Sequence, residues 1–317
     1  MWNGTTVRTQ PAARRPTCCP RTQPAPGPPP VERPRRPWED VPMVWLLDLD
    51  GVVWLGDTAI PGAAGAVSRL RTDGNRVVFL TNNSAHSVGD YVARLNKMGI
   101  TVNRSDILTS AEAATSLLEP GSTALVFAGA GVEESLARRG VRAVRSGRAD
   151  AVVVGFHRDF DFTGLSAAVS AVLGGARLIA TNDDATYPTP HGPLPGAGSI
   201  LAAVAYASGA TPTVAGKPND PTVSLLRQRF GGVDVVVGDR PSTDGKLARR
   251  LGARFALVLS GVTDPNHGRL DPVPDTEAAD LAALVTDELS AAPAGAEHDS
   301  VAAPGRAGQQ FPSMGGD

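Results

Sequence analysis

Val44-Trp45-Leu46-Leu47-Asp48-Leu49-Asp50-Gly51-Val52 decides how the rest of the chain is read. An apolar run stops at two aspartates spaced i and i+2, with glycine immediately after. A strand covered on both faces has no place for carboxylates, so the pair belongs where the strand leaves the sheet. Two acids at that spacing in an extended chain project the same way. Like charges held close together resist joint ionisation, which calls for a cation or a shared proton.

Working outward, short apolar runs alternate with helical patterns, the signature of an α/β protein with a parallel sheet. Arg76–Leu80 reads as a second strand and ends in Thr81-Asn82-Asn83-Ser84. A helix over Val88–Met98 follows, closed by Gly99, and Ser110 is placed to cap a helix over Ala111–Leu118. Much later, Asp220-Pro221 opens a helix through Phe230, with Asp220 read as its N-cap. Val233–Val237 reads as a strand ending in Gly238-Asp239, a helix then runs to Leu251, and Phe255–Leu259 is another strand. A final short helix is expected over Asp280–Val285.

Residues 120–211 carry strands and helices of their own: strands at Ala124–Ala128, Ala151–Gly155 and Arg177–Ala180, helices near Val132–Arg139 and Phe162–Leu173. A block of this size inside a sheet-and-helix domain is an inserted domain rather than a loop, suited to covering a site. The expected organisation is a discontinuous core, 43–119 and 212–289, with the insertion as a cap. Residues 1–42, rich in proline and arginine, and 290–317 read as tails that cannot bury enough apolar surface to order. Met43 stands directly before the first strand and is a candidate initiator.

The bulk numbers exclude several function classes. A formal charge of −2 over 317 residues leaves no basic excess for nucleic acid or an anionic membrane. No apolar run has the length of a spanning helix. Cys18 and Cys19 are the only cysteines, and their adjacency rules out a disulfide framework. The expectation is a cytoplasmic protein. Gly129-Ala130-Gly131 lacks the third glycine and the later acid of a dinucleotide loop, and reads as a turn between strand and helix.

The chemistry gathers at four places. Asp48 and Asp50 end the first strand, Thr81 and Asn82 the second, Asp239 a later one, and Lys217 lies in Val214-Ala215-Gly216-Lys217-Pro218. Open parallel sheets bind ligands beyond the carboxyl ends of their strands. Several carboxylates, a hydroxyl, an amide and an ammonium suit a hard divalent cation together with a phosphate group. A carboxylate can also serve as nucleophile, splitting one difficult displacement into two.

These motifs resemble those of the haloacid dehalogenase-like phosphatases, in the subgroup typified by NagD and the p-nitrophenyl phosphatases. The carrying segments are Asp48-Leu49-Asp50-Gly51-Val52, Thr81-Asn82-Asn83-Ser84, Gly216-Lys217-Pro218 and Gly238-Asp239-Arg240-Pro241-Ser242-Thr243-Asp244, in order from about Val44 to Leu289. The resemblance implies a Rossmann-like core with an α/β cap, and a Mg²⁺-dependent phosphatase of small phosphate monoesters that works through an aspartyl-phosphate. It implies that Asp48 attacks phosphorus and that Asp50 protonates the leaving oxygen, then activates water. Mg²⁺ would be held by Asp48, the Asp50 backbone carbonyl and Asp239, with Asp244 completing the acidic group by orienting a water or Lys217. Thr81 and the Asn82 backbone amide would grip phosphate oxygens, and Lys217 would offset their charge. Caps of this type can also mediate homodimers.

For the cap, Thr181-Asn182-Asp183-Asp184-Ala185-Thr186-Tyr187-Pro188 resembles the family's substrate-facing loop. Asp184 and Tyr187 are its candidate substrate contacts, and the paired acids are expected to repel a second anionic group. Two other classes fit these residues less well. A phospho-accepting receiver would not carry Asp50 or a large insertion, and a silent phosphometabolite-binding protein would not need Asp48, Asp50, Lys217 and Asp239 together.

Overall fold

A computed structural model of the chain describes residues 1, 42–187, 192 and 194–290. The two expected tails and Pro188 fall almost wholly outside these residues. Two parallel sheets organise the rest. The larger has six strands in the spatial order Thr276–Ala278, Arg254–Val258, Val235–Gly238, Val44–Asp48, Arg76–Thr81 and Ile107–Thr109, every pair parallel. The chain starts at Val44–Asp48 in the middle, builds outward to one side, and later returns to build the other. The reversal of direction falls beside Asp48, the place where such sheets open a crevice for ligands.

The central strand is apolar because both its faces are covered. Trp45 and Leu47 pack into one layer with helices Ala63–Thr72, Val88–Lys97 and Leu281–Ser290. Leu46 packs into the opposite layer with Asp220–Phe230 and Lys246–Leu251. Alternation along the strand therefore divides one buried run between two layers.

The inserted unit has its own five-stranded parallel sheet, ordered Thr213–Val214, Arg177–Ala180, Ala151–Val154, Thr123–Phe127 and Arg142–Val144. Its packing reaches past the expected limits of 120 and 211. Ala111, Ala113, Ala114 and Leu118 lie in its apolar core, and Thr213–Val214 pairs with Arg177–Ala180. Helix Phe162–Leu173 has the expected bounds, with the Asp161 carboxylate accepting from the Gly164 amide as an N-cap.

Several local expectations move by a residue or more. Thr109, not Ser110, caps the helix Ser110–Thr115, in a box with Glu112; the Ser110 hydroxyl instead donates to the Asn82 carbonyl at 2.6 Å. Asn219 takes the N-cap position expected for Asp220, which forms the first helical residue. The helix after Asp239 begins as a π-helical turn, Pro241–Gly245, before Lys246–Leu251. Gly129 does stand at the start of a helix, Ala130–Arg139. No helix among the described residues is long and apolar enough to cross a membrane.

Candidate active site

After Asp48 the chain coils tightly, and the Leu49 carbonyl accepts from the amides of Val53 and Trp54 at 2.9 and 3.2 Å. A short hairpin, Trp54–Leu55 with Thr58–Ala59, then leads away. Gly51 sits in that coil at φ +85°, and a Cβ there would lie 2.4 Å from Asp239 Oδ2. Glycine thus meets both a left-handed backbone and the close approach of a carboxylate from another strand.

That geometry brings the expected residues together. Asp48, Asp239 and Asp244 are 9, 2 and 1% exposed, and Lys217 is 3% exposed. Lys217 Nζ lies 2.8 Å from Asp48 Oδ1 and 2.7 Å from Asp244 Oδ1. Asp48 Oδ1 also accepts from the Leu49 amide at 2.8 Å. Asp239 Oδ2 accepts from the Val262 amide at 2.8 Å, and its backbone carbonyl from the Thr263 hydroxyl at 2.5 Å. Asp244 Oδ2 accepts from the Arg240 amide at 3.1 Å. The segment Val262–Thr263, which buttresses Asp239, lies outside every motif quoted from the sequence.

One ammonium does not balance three carboxylates in so buried a place. Burial pushes the Asp48 carboxyl well above its ordinary range; Lys217 opposes this, while Asp244 and Asp239 add to it. Burial, then Asp244, push Asp239 up to about 6, against the Val262 hydrogen bond. Burial alone would lower Lys217, but the Asp244 and Asp48 carboxylates outweigh it and raise the ammonium. Oxygens of Asp48, Asp239 and Asp244 all lie within 4.8 Å of one another, the one such acidic cluster among the described residues. An all-oxygen donor set with excess negative charge fits a hard divalent ion such as Mg²⁺.

Asp50, whose backbone carbonyl the family resemblance offers to the metal, is not one of those three acids, and it lines the same cavity as Asp48 and Asp239. Asp50 Oδ1 accepts from the indole Nε1 of Trp54 at 2.9 Å. Thr81 is buried at its strand end and accepts from the Asn83 amide at 3.0 Å. The Asn82 side chain is spent on structure: it accepts from the Lys217 amide at 2.8 Å and donates to the Lys217 carbonyl at 3.2 Å. It thereby ties the second motif to the third and sets where Lys217 begins.

The cap closes over this floor. Asp48, Asp50, Thr81, Asn82, Lys217 and Asp239 line a cavity of about 100 Å³, and the cap adds Phe156, Asn182, Asp184 and Tyr187. Asp184 Oδ2 accepts from Asn82 Nδ2 at 3.2 Å, and its Oδ1 lies 4.0 Å from Arg240 Nη1. Tyr187 meets Phe156 edge to face at 4.9 Å between centroids and accepts from Arg158 at 3.2 Å. The paired-acid expectation needs correction. Asp183 is exposed and does not line the cavity, so only Asp184 faces it, with a guanidinium close by. Arg240 and Phe156 went unassigned in the sequence. Arg240 stood in the fourth motif directly after Asp239, the one signal that could have marked it.

The haloacid dehalogenase-like hydrolase family model matches residues 45–142, and a HAD-hydrolase-like model matches residues 214–284. The chain is 38% identical over 225 residues to a D-glycerol 3-phosphate phosphatase of Mycobacterium tuberculosis, covering 68% of this chain and 63% of that protein. It is 33% identical to a dihydroxyacetone phosphatase of Corynebacterium glutamicum over 249 residues, covering 77% of this chain and 90% of that protein. A glycerol phosphate phosphatase from M. tuberculosis, crystallised with magnesium, superimposes with a TM-score of 0.71 at 34% identity, over 78% of this chain and 77% of that one. A p-nitrophenyl phosphatase from Archaeoglobus fulgidus superimposes with a TM-score of 0.71 at 30% identity, over 78% of this chain and 99% of that one.

Proposed function

The chain belongs to the haloacid dehalogenase-like hydrolases, in the NagD and p-nitrophenyl phosphatase branch, and from that membership we propose the residue roles and substrate of this Mg²⁺-dependent phosphatase. It is a hydrolase of small phosphate monoesters that works through an aspartyl-phosphate. Asp48 is the nucleophile. Its Oδ1 is held by the Leu49 amide and Lys217, which aims the other oxygen at phosphorus. As the new P–O bond forms and the ester P–O bond breaks, Asp50 gives its proton to the departing oxygen. Asp50 then takes a proton from the water that attacks phosphorus, freeing phosphate and restoring Asp48. Lys217, and Thr81 at its strand end, stabilise charge on the phosphoryl oxygens. Asp48, Asp239 and Asp244 would hold Mg²⁺, with the Asp50 carbonyl as a further oxygen; when bound, the ion supplies positive charge to the phosphoryl group.

For the substrate we propose a short polyol phosphate of the glycerol 3-phosphate type. The observation that carries this is Asp184, which roofs the cavity over Asp48 and Lys217 and is held between Asn82 and Arg240. Asp184 accepts hydrogen bonds from hydroxyls, and Tyr187 and Phe156 bound the carbon chain. Two relatives are a D-glycerol 3-phosphate phosphatase and a dihydroxyacetone phosphatase, which agrees with that chemistry. A panel of glycerol 3-phosphate, dihydroxyacetone phosphate, phosphoglycolate, hexose phosphates, nucleoside monophosphates and pyridoxal phosphate tests it. Highest kcat/KM on three-carbon alcohols supports the reading, and preference for a nucleotide or for pyridoxal phosphate refutes it.

The absence of a basic excess supports a cytoplasmic enzyme with no nucleic-acid or membrane partner. Exposed Phe162, Leu173 and Tyr206 on two cap helices support a homodimer, which light scattering on the purified protein checks.

A further inference from the structure

Trp54 stands four residues after Asp50, at the start of the hairpin that leaves the first motif. Its side chain is fully buried, and its Nε1–H donates to Asp50 Oδ1 at 2.9 Å. An indole nitrogen only donates. Its one hydrogen-bonding group therefore faces an acceptor oxygen here, and turning the ring away would leave a buried N–H unpaired.

The ring itself is held by one neighbouring helix, Val88–Lys97. The Tyr91 ring lies parallel to the indole, 6.3 Å between centroids with a 3° interplanar angle. Tyr91 is anchored in turn by its hydroxyl, which donates to the Asn83 carbonyl at 2.8 Å. The Arg94 guanidinium lies over the indole, 4.1 Å from the ring centroid. Arg94 also donates to the Gly56 carbonyl in the hairpin turn, so one side chain fixes both the ring and the loop that carries it. Asp50 is thus braced through Trp54 against a helix that contributes nothing else to the chemistry.

We propose that Trp54 is a positioning residue for proton transfer, holding the Asp50 carboxyl toward the departing oxygen, with Arg94 as the clamp on the indole. The inference rests on the reading of Asp50 as the proton donor. With Oδ1 accepting from the indole, Oδ2 is the oxygen left to pass the proton. That proton passes to the ester oxygen as its bond to phosphorus breaks, and a proton from water returns to Oδ2 in the second half-reaction.

Leaving-group dependence separates positioning from packing. kcat/KM reports the steps through the first irreversible one, here departure of the leaving group. An alkoxide needs the proton to depart, whereas p-nitrophenolate leaves without it. We expect Trp54→Phe to lower kcat/KM on glycerol 3-phosphate by about 10- to 100-fold, at or below the roughly 10²–10⁴ carried by a general acid. On p-nitrophenyl phosphate the same variant should lose less than about 3-fold, and Arg94→Met, outside the core, should show the same bias at roughly 3- to 10-fold. An equal loss on both substrates, or no loss on either, in Arg94→Met and in whatever Trp54→Phe protein folds, overturns the proposal. Asp50→Asn is the control. If it shows no leaving-group bias, the proton-donor reading fails; if it shows the bias and the Trp54 and Arg94 variants do not, only the positioning role fails.

Discussion

The Lys217 ammonium lies 2.8 Å from the Asp48 carboxylate, although Lys217 stands 169 positions further along the chain, beyond the entire cap. Asn82 creates that meeting by binding both the amide and the carbonyl of Lys217. A contact between the first and third motifs is therefore set by the second.

Asp48→Asn should abolish phosphate release while leaving the fold intact, since the amide is isosteric but a poor nucleophile. The expected loss is roughly 10³-fold or more. Phosphate release with Mg²⁺ measures it, and undiminished turnover would contradict the nucleophile assignment.

Removing the ammonium should damage stability as well as rate. Lys217→Met leaves Asp48 and Asp244 buried without their common partner, and breaking a buried pair from one side costs about 3–5 kcal/mol. Urea unfolding of the metal-free variant gives the loss, and Mg²⁺ should restore part of it by taking over the missing positive charge.

Gly51→Ala tests how tightly the acidic cluster is built. A left-handed L-residue costs about 1–2 kcal/mol, and the new Cβ would stand 2.4 Å from Asp239 Oδ2, so that carboxylate must move. Weaker Mg²⁺ binding by calorimetry should accompany the loss of stability.

The acidic cluster also sets a pH dependence. Asp239 is raised from an ordinary 3.8 to about 6 in the metal-free protein. Between those values the folded protein keeps a proton that the unfolded chain has released, so metal-free stability falls as pH rises through this window. The cation requires the ionised carboxylate, so Mg²⁺ affinity should climb as pH rises through about 6, with proton release on binding. Calorimetry in buffers of different ionisation enthalpy measures both; a flat affinity without proton release would show that Asp239 gives up no proton when the ion binds.

Asp184→Ala should raise KM for glycerol 3-phosphate about tenfold, the equivalent of ~1.4 kcal/mol, with little change on p-nitrophenyl phosphate, which lacks hydroxyls to bind. Steady-state kinetics on the two substrates check this, and equal effects on both would place Asp184 in the cap's structure rather than in recognition.

How far the sequence reaches depends on whether its signal is local. A strand buried on both faces must be apolar until it exits, so Val44–Leu47 followed by Asp48 and Asp50 announced both the sheet and the position of its functional edge. The helix expected near Phe162–Leu173 forms over those residues, where the Asp161 carboxylate caps it and Gly174 follows it. The motif acids and Lys217 were legible only jointly: each alone suits a cap, a turn or a surface charge, and it is the four stretches in order along the chain that mark them. Short strands such as Ile107–Thr109, Arg142–Val144 and Thr276–Ala278 were not legible, since so few residues show no periodicity and form strands only because a neighbouring edge pairs with them.

Long-range contacts had no such signature. The direction of the Asp50 carboxylate toward Trp54, the spending of the Asn82 side chain on Lys217, the support of Asp239 by Val262 and Thr263, and the approach of Arg240 to Asp184 each depend on where folded segments come to rest. The chain's order of residues dictated which chemical groups the enzyme owns and at which strand ends they emerge, because backbone periodicity and burial act over a few residues. Which group each one touches was left to packing, because a hydrogen bond across a hundred residues is specified by the geometry of the whole core and by no pattern along the chain.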